Sequence, residues 1–545
     1  MARYIYSSLP TASSHIRLLC LLPNTDRRAQ IRCRIVDYDL SNLQSSHVYE
    51  ALSYVWGDPT DTRNINVDDA ELPVTSNLEK AMHHLRDGFF QRVFWIDAIC
   101  INQEDLKERA AQVKMMAEIY HNASRVVVWL GEEHDGSFEA MQMLRVIANV
   151  QSDKLRGDNV GEILDISGKK REQLLALFQR PWFRRIWILQ EVAAAEVVVI
   201  KCGDVELSGQ AFSSALTSIG TLSRGWDCSE LISQVLSVAR LLSFTALVSD
   251  APSGITLNYH TLVKLVDIFH NHLATDPRDK IYALIGMATW SDSTMDVMPD
   301  YELSWSQVFR NFITSIISAD EDAVVNTWDD AQVATLQTKG GLLGKIIRTH
   351  QGKDIQTINI ATRSIFWRDL YWSILPRTLT YHVTQGIKTI REGDLLCIPR
   401  GASTPIIVRV SDSHLSIIAA GVPDPDFSLI IENSMASEHG FGKEDYAEWL
   451  ASIEKEDKKL FLIWDWHETS PEFKPPERIC KLLDDERKSL PTRKERYHSL
   501  LRLLQNQTSF PMIVAHFEEA RRKKRDDAGL DPQFLKQVLD RVSSD

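Results

Sequence analysis

The chain has 545 residues, with 61 lysines and arginines against 74 aspartates and glutamates, giving a formal net charge of -13. Hydrophobic residues make up 44% and charged residues 25%, the usage of a globular protein and not of a disordered one. At roughly 150 residues per domain the length suggests about three domains with cores that need no disulfides, and the acidic balance sets aside nucleic-acid binding as the main business.

The first segment, Met1–Pro23, has its short apolar run broken by charge and proline, so it is not expected to serve as a signal peptide. No apolar stretch approaches the roughly 18 residues needed to span a bilayer. Seven cysteines (Cys20, Cys33, Cys100, Cys202, Cys228, Cys397 and Cys480) are scattered and never spaced as CxxC. That pattern fits thiols in a reducing compartment, and a cytoplasmic chain is expected.

Ala51–Gly57, ALSYVWG, reads as a buried strand ending in a Gly-Asp-Pro turn. Asn64–Val74 reads as a hairpin, and Ser76 as the cap of a helix over Asn77–Arg86 with Leu78, Met82 and Leu85 on one face. Val93–Asp97 is a second strand. Asn102 and Asp105 stand at cap and first-turn positions of a helix running to about His121. Arg125–Gly131, RVVVWLG, is a β-branched run suited to a strand buried on both faces. Strand, helix and strand at this spacing make a βαβ unit. Helical stretches near Phe138–Ala148 and Arg171–Phe178 lead to Arg180–Ala195, read as one helix with Pro181 in its first turn. Val197–Gly203 is a fourth strand. Beyond it the chain reads as mainly helical, with Asp276–Ala288 its most distinctive stretch. Short strands then recur at Asp394–Ile398, Thr404–Val410, His414–Ala420 and Phe427–Glu432.

Searches for common catalytic signatures return little. HExxH, GxSxG, a strand-following GxGxxG and an EF-hand loop are all absent. Gly340–Ile346, GGLLGKI, fails as a phosphate loop because its glycines are one residue too close and Ile346 replaces the metal-binding hydroxyl. His83–His84 and His270/His272 lack partners at metal-ligand spacing, so no metal site is expected. The basic run Arg521–Arg525 is flanked by acids and suits a solvated helix face. Trp56, Trp95, Trp129, Trp182 and Trp187 suit either core packing or a pocket at the carboxyl ends of the strands.

Three blocks, Tyr49–Pro59 (YEALSYVWGDP), Phe94–Glu132 (FWIDAICINQEDLKERAAQVKMMAEIYHNASRVVVWLGE) and Arg180–Val192 (RPWFRRIWILQEV), closely resemble those of the fungal heterokaryon-incompatibility (HET) domain. Ile16–Pro23 and Arg278–Ala288 resemble its flanking segments, so the likeness covers about the first 290 residues. Gly393–Val410 is similar to a C-terminal module of such proteins, although the glycine- and glutamate-bearing motif that closes the module is not recognisable after Gly421. The resemblance implies a role in non-self recognition during hyphal fusion, with growth arrest or cell death as the outcome. Partners would be a second copy of the chain, or an incompatible allelic or sensor protein. Some relatives serve biosynthetic or stress pathways instead.

The expected architecture is a doubly wound, mainly parallel α/β sheet of TIR/flavodoxin-like type with a helical insertion over residues 49–205. A lead-in, 1–48, packs on it. A mainly helical region (206–380), a small antiparallel β-rich module (381–435) and a charged helical tail (436–545) follow. HET domains have been likened to TIR domains, whose enzymes carry a Trp and, four residues on, a Glu between the third and fourth parallel strands. Trp187 and Glu191 match that spacing, although an insertion of roughly 50 residues precedes them. The resemblance therefore implies NAD as substrate and Glu191 as the catalytic carboxylate of a glycohydrolase. Tyr54, Trp56 and Trp187 are candidates to stack on the ligand, Gly57 and Asp58 to let it approach the backbone, and Asp97 to bind it. Cleavage develops oxocarbenium character on the ribose, which a neighbouring carboxylate stabilises. A second role for Glu191 is an ion pair with Arg184 or Arg185. Asp97, Glu132 and Glu133 are rival acids or turn caps, and a non-enzymatic interaction module is the competing function.

Overall fold

The computed structural model describes residues 2–10, 14–41, 48–154, 168–222, 229–243, 248–251, 254–289, 297–316, 321–352, 355–362, 378–384, 386, 388–410, 415–426, 428, 443–454 and 458–466. Apolar runs in the first 208 residues build one nine-stranded sheet. Strands β1 (His15–Leu21) and β2 (Arg32–Asp39) pair antiparallel. Strand β3 (Glu50–Tyr54) is followed by the hairpin β4 (Thr62–Val67) and β5 (Ala70–Thr75). Helix α1 (Ser76–Leu85) buries Leu78, Ala81, Met82 and Leu85, one apolar stripe at helical spacing. Strand β6 (Arg92–Trp95) leads through the single turn α2 (Asp97–Cys100) to α3 (Leu106–Lys114) and α4 (Met116–His121). Strand β7 (Val126–Trp129) is buried at every position, as its β-branched composition requires. Helices α5 (Ser137–Lys154), α6 (Gly168–Phe178) and α7 (Ile188–Ala194) separate it from β8 (Val198–Cys202) and the edge strand β9 (Val205–Ser208).

The spatial order is β5-β4-β2-β1-β6-β3-β7-β8-β9. The four central strands β6, β3, β7 and β8 run parallel. The whole sheet is mixed and not mainly parallel as expected, because the β1–β2 and β4–β5 hairpins and β9 add antiparallel ladders at its flanks. Residues 15–39 are thus strands of the sheet itself, with β1 hydrogen-bonded to β6.

Two expected helices are broken. Asp105 caps α3 by accepting from the backbone N–H groups of Lys107 and Glu108, but the helix is interrupted at Met115 before α4. Over Arg180–Ala195 the chain forms one 3-10 turn, Pro181–Arg184, then extends at Arg185 before α7 begins. The cause is tertiary. Ile186 N–H donates to Leu273 O (2.9 Å) and Leu273 N–H to Arg184 O (2.6 Å), bonds that replace helical ones.

Helices α8 (Gly209–Leu222) and α9 (Ser229–Leu242) precede the short hairpin β10 (Ser249–Ala251) and β11 (Gly254–Thr256). Helices α10 (Leu262–Phe269), α11 (Asp279–Ile285) and α12 (Trp305–Ile316) complete the middle region. Among the described residues, strand replaces helix there, well before residue 380. Strands β12 (Val324–Trp328), β13 (Ala331–Gln351), β14 (Ile355–Thr362) and β15 (Thr378–Thr384) begin an eight-stranded sheet. It continues with β16 (Leu395–Pro399), β17 (Ile406–Val410), β18 (Leu415–Ala419) and, after helix α13 (Lys443–Glu454), β19 (Lys458–Asp465). Strand β13 pairs with both β16 and β19, which closes β13-β16-β17-β18-β19 into a small barrel. The β module is therefore larger than expected and begins earlier. Its longest strand escaped notice because bulges and shared ladders break the inside–outside alternation. The GGLLGKI stretch lies inside β13, where a Cβ on Gly340 or Gly344 would run into Ile398 O or Ala361 O.

Apart from Ser428, the expected strand Phe427–Glu432 lies outside the described residues, as does the basic run Arg521–Arg525. Among the described residues, no helix is long and apolar enough to cross a membrane.

Candidate functional site

Parallel strands deliver their carboxyl ends to one edge, and loops that leave in opposite directions open a crevice there. The connection from β3 reaches β6 on one side, and the next returns to β7 on the other. A cleft of about 510 Å³ opens outside the carboxyl ends of β3 and β7, between Gly57 and Asp58, Gly131 and Glu132, the first turn of α1, and Arg180 with Trp182. Gly57 (φ +84°) and Gly131 (φ +105°) hold left-handed backbone that glycine adopts without strain. Arg180 is buried against the loop after β7, its Nη1 donating to Leu130 O and Glu132 O (both 3.1 Å) and its Nη2 to His134 O (3.2 Å). Asn77 ties the two strand ends together. Its Nδ2 donates to Val55 O (2.6 Å), and its Oδ1 accepts from Trp129 Nε1 (3.3 Å). Lys80 pairs with Glu132 across the opening at 2.6 Å.

Behind the cleft lies a buried ionic cluster. Trp182 donates its indole N–H to Ser53 Oγ (2.9 Å), and Ser53 donates to Glu191 Oε2. The other Glu191 oxygen meets Arg185 Nη1 at 3.3 Å, while Arg185 Nη2 reaches Asp97 Oδ2 at 3.2 Å. Arg185 also donates to Tyr54 O (2.6 Å), and Trp56 donates its indole N–H to Asp97 Oδ2 (2.9 Å). Glu191 is wholly enclosed, with 0% of its side chain exposed, against 18% for Arg185. Burial pushes the Glu191 carboxyl up to about 7, Arg185 and Ser53 pull it down less, and Asp97 adds to the rise. One guanidinium shared by two carboxyls leaves a negative charge uncompensated when both ionise, so a raised acid is the expected outcome.

The residues named from the sequence thus separate into three groups. Tyr54, Trp56, Asp97 and Glu191 gather round Arg185. The Tyr54 ring is buried, so it has no open face for a ligand to stack on, and among the described residues its hydroxyl has no hydrogen-bond partner. Gly57 and Asp58 line the cleft, and Thr60 holds the Asp58 carboxyl below the usual range through side-chain and backbone hydrogen bonds. Trp187 is not in the cleft lining, and its N–H is bonded to Asp279 Oδ2 (3.0 Å). Asp279 also accepts from the Tyr301 hydroxyl (2.7 Å) and lies 3.8 Å from Arg109, so the DPRDKIYALIGMA stretch braces the Arg185 segment from the middle region.

Sequence reasoning offered Arg184 and Arg185 equally as the partner of Glu191; the extended backbone at Arg185 decides for Arg185. Trp129 and Trp182 line the cleft and Trp95 belongs to the core. Ser53, Asn77, Lys80, Arg180 and Asp279 were missed. Ser53, Arg180 and Asp279 lie within the segments that carry the resemblance, where polar and aromatic residues are dense; Asn77 and Lys80 lie outside them, in α1, where no signal pointed to them. Among the described residues, no group of three or more His, Cys, Asp or Glu could hold a metal ion.

Comparison with protein families matches residues 49–191 to the heterokaryon incompatibility protein (HET) family model. Among curated proteins the chain is similar to "Heterokaryon incompatibility protein 6, OR allele" of Neurospora crassa. The two are 30% identical over 365 residues, which cover 57% of this chain and 53% of that protein. The chain therefore spans about half the length of the curated relative it matches. No solved structure matches.

Proposed function

We propose that this chain, a protein carrying a HET domain over residues 49–191, acts in fungal non-self recognition by cleaving the nicotinamide–ribose bond of NAD held in the β3/β7 cleft. The observation that carries this reading is Glu191: a carboxyl with a pKa raised to about 7, one hydroxyl away from an indole that lines a ligand-sized cleft. Perturbed acids beside clefts are the usual signature of a chemical site. Two further points support it. The central strands lie in the order second-first-third-fourth, as in flavodoxin-like doubly wound sheets, which suits a TIR-like domain. The relative in Neurospora crassa is named for heterokaryon incompatibility.

In this reading NAD lies across the carboxyl ends of β3 and β7, its phosphates facing Lys80 and the first turn of α1. Nicotinamide departs as a neutral base, so no general acid is required. Ionised Glu191 stabilises the cationic ribose and orients the attacking water. NAD loss then halts growth or kills the cell, and contact with a second copy or an incompatible partner supplies the trigger. The test expresses wild type and Glu191→Ala in yeast and follows NAD and viability together. NAD collapse and death with wild type, both abolished in a folded Glu191→Ala protein, is the expected result.

A second reading rests on the complete enclosure of Glu191 and its pairing with Arg185 and Ser53. Those contacts suit a rigid interaction module that signals by association alone. Death without NAD loss selects this reading and overturns the first.

A further inference from the structure

We infer that Trp182 is the partition between the cleft and Glu191, so that a ligand meets the carboxyl only after this one indole is displaced. This rests on the proposal that Glu191 does chemistry on a ligand bound in the cleft.

The geometry is specific. Trp182 lines the cleft, yet it is almost entirely buried, so it presents one surface to the opening and the rest to the interior. Its N–H reaches Ser53 Oγ at 2.9 Å, and that hydroxyl donates to Glu191 Oε2. The carboxyl is therefore separated from the cleft by one ring and one hydroxyl. On the opposite flank Arg185 is salt-bridged to Glu191 and Asp97, and Trp56 closes over Asp97. Removing Arg185 to admit a ligand from that flank would leave two carboxyls without their shared cation. Moving Trp182 breaks one neutral hydrogen bond and the edge-to-face contact of its ring with Phe183 (5.1 Å), but leaves no charge without its partner.

The backbone under Trp182 suits such movement. It lies on a single 3-10 turn, Pro181–Arg184, isolated from α7 by the extended Arg185. Short 3-10 turns have poorer hydrogen-bond geometry than α-helix and rearrange at smaller cost. Phe183 next to it packs edge-on against Phe178 and stacks on Phe212, which anchors the turn on its inner side. The indole can swing while Phe183 and α7 stay in place. The enclosed state is then the resting state, and the cleft alone is what a ligand first meets.

The test reads access to Glu191 directly and does not depend on turnover. The full chain is treated with a water-soluble carbodiimide and glycine amide, and the rate of amide formation at Glu191 is followed by peptide mass spectrometry. Wild type and Trp182→Phe, which retains a ring, are expected to label slowly. Trp182→Ala, with its fold verified by thermal melting, is expected to label about tenfold faster or more, because labelling tracks the population of the open form. Trp56→Ala opens the other flank and is expected to label like wild type. Should Trp182→Ala fail to fold, Trp182→Leu takes its place in the same comparison. Equal rates in the folded Trp182 variant and wild type overturn the inference, as does faster labelling in Trp56→Ala than in the Trp182 variant. Millimolar NAD separates this inference from the reading it rests on. Slower labelling of the Trp182 variant in NAD supports both, whereas fast labelling that NAD leaves unchanged keeps the partition and sinks NAD as the cleft ligand.

Discussion

In the N-terminal sheet two carboxyls and a guanidinium meet behind the strand ends, whereas the C-terminal barrel holds the buried carboxyl of Asp394 at a turn. There Arg409 grips it through two bonds of 2.8 Å from the partly exposed side. The cavities differ in the same sense. The cleft of about 510 Å³ is lined by charged, polar and aromatic groups, while the void between α12 and the barrel is about 20 Å³ and wholly apolar. Parallel strands collect several carboxyl ends at one edge, so their loops converge on a single place. The barrel, antiparallel in every ladder but β18–β19, alternates most of its strand ends and disperses its polar turns around two rims. Charged and polar groups are gathered in the first arrangement and spread out in the second.

That contrast can be broken by substitution. Arg185→Leu removes the cation shared by Glu191 and Asp97 and is expected to cost about 3–5 kcal/mol, as when any buried pair loses one partner. Urea unfolding checks it, and a loss below about 1 kcal/mol would remove the cluster from the stability account. In the barrel, Leu343→Ala truncates a fully buried side chain and is expected to cost about 2–4 kcal/mol through lost burial and a new cavity. The two should differ in pH response: the barrel loss stays flat between pH 5 and 8, roughly, whereas the Arg185→Leu loss grows as the carboxyls ionise.

Glu191 sharpens the comparison further. Its folded value, raised to about 7 from 4.5, means that the native state binds more protons than the unfolded chain between those values. The stability it contributes is therefore present at low pH and falls as pH rises from 4.5 through about 7. Subtracting the stability–pH curve of Glu191→Gln from that of wild type should show this downward step, and an upward or flat difference would contradict it. In the proposed reaction the ionised form is the active one, so turnover should rise through the same range and level off above it. The smallest effect is expected at the exposed pair Arg3–Glu104, whose side chains are 73% and 82% exposed. Arg3→Ala should change stability by no more than about 0.5 kcal/mol, and a thermal melt that moved by several degrees would show that the N-terminal segment does more than cover the sheet.

Much of the N-terminal sheet was legible because its signals are local. ALSYVWG, VFWID, RVVVWLG and VVVIKCG each carry enough β-branched and aromatic residues to declare a strand, and helical periodicity fills the gaps. The lead-in's strands were not foreseen as members of the same sheet, since β1 finds β6 across more than seventy residues. The barrel was half seen. Strands β16, β17 and β18 are short and punctuated, whereas β13 bends between two sets of partners and loses its period of two.

For the site, the sequence determined the residue types and their helical spacing, including Glu191 four residues after Trp187 and the glycines that let β3 and β7 end in tight loops. It did not determine which of those groups share a volume. Trp187 was paired with Glu191 by spacing, but its indole N–H is bonded to Asp279 of the middle region. Trp182 and Ser53 reach Glu191 only because β3 and the 3-10 turn are brought together across more than a hundred residues. Arg185 prevailed over Arg184 when backbone bonds to Leu273 pulled that residue out of the helix. Side-chain chemistry is a property of single residues and so is written in the chain, while burial, and with it the raised pKa of Glu191, arises only when distant segments exclude water together.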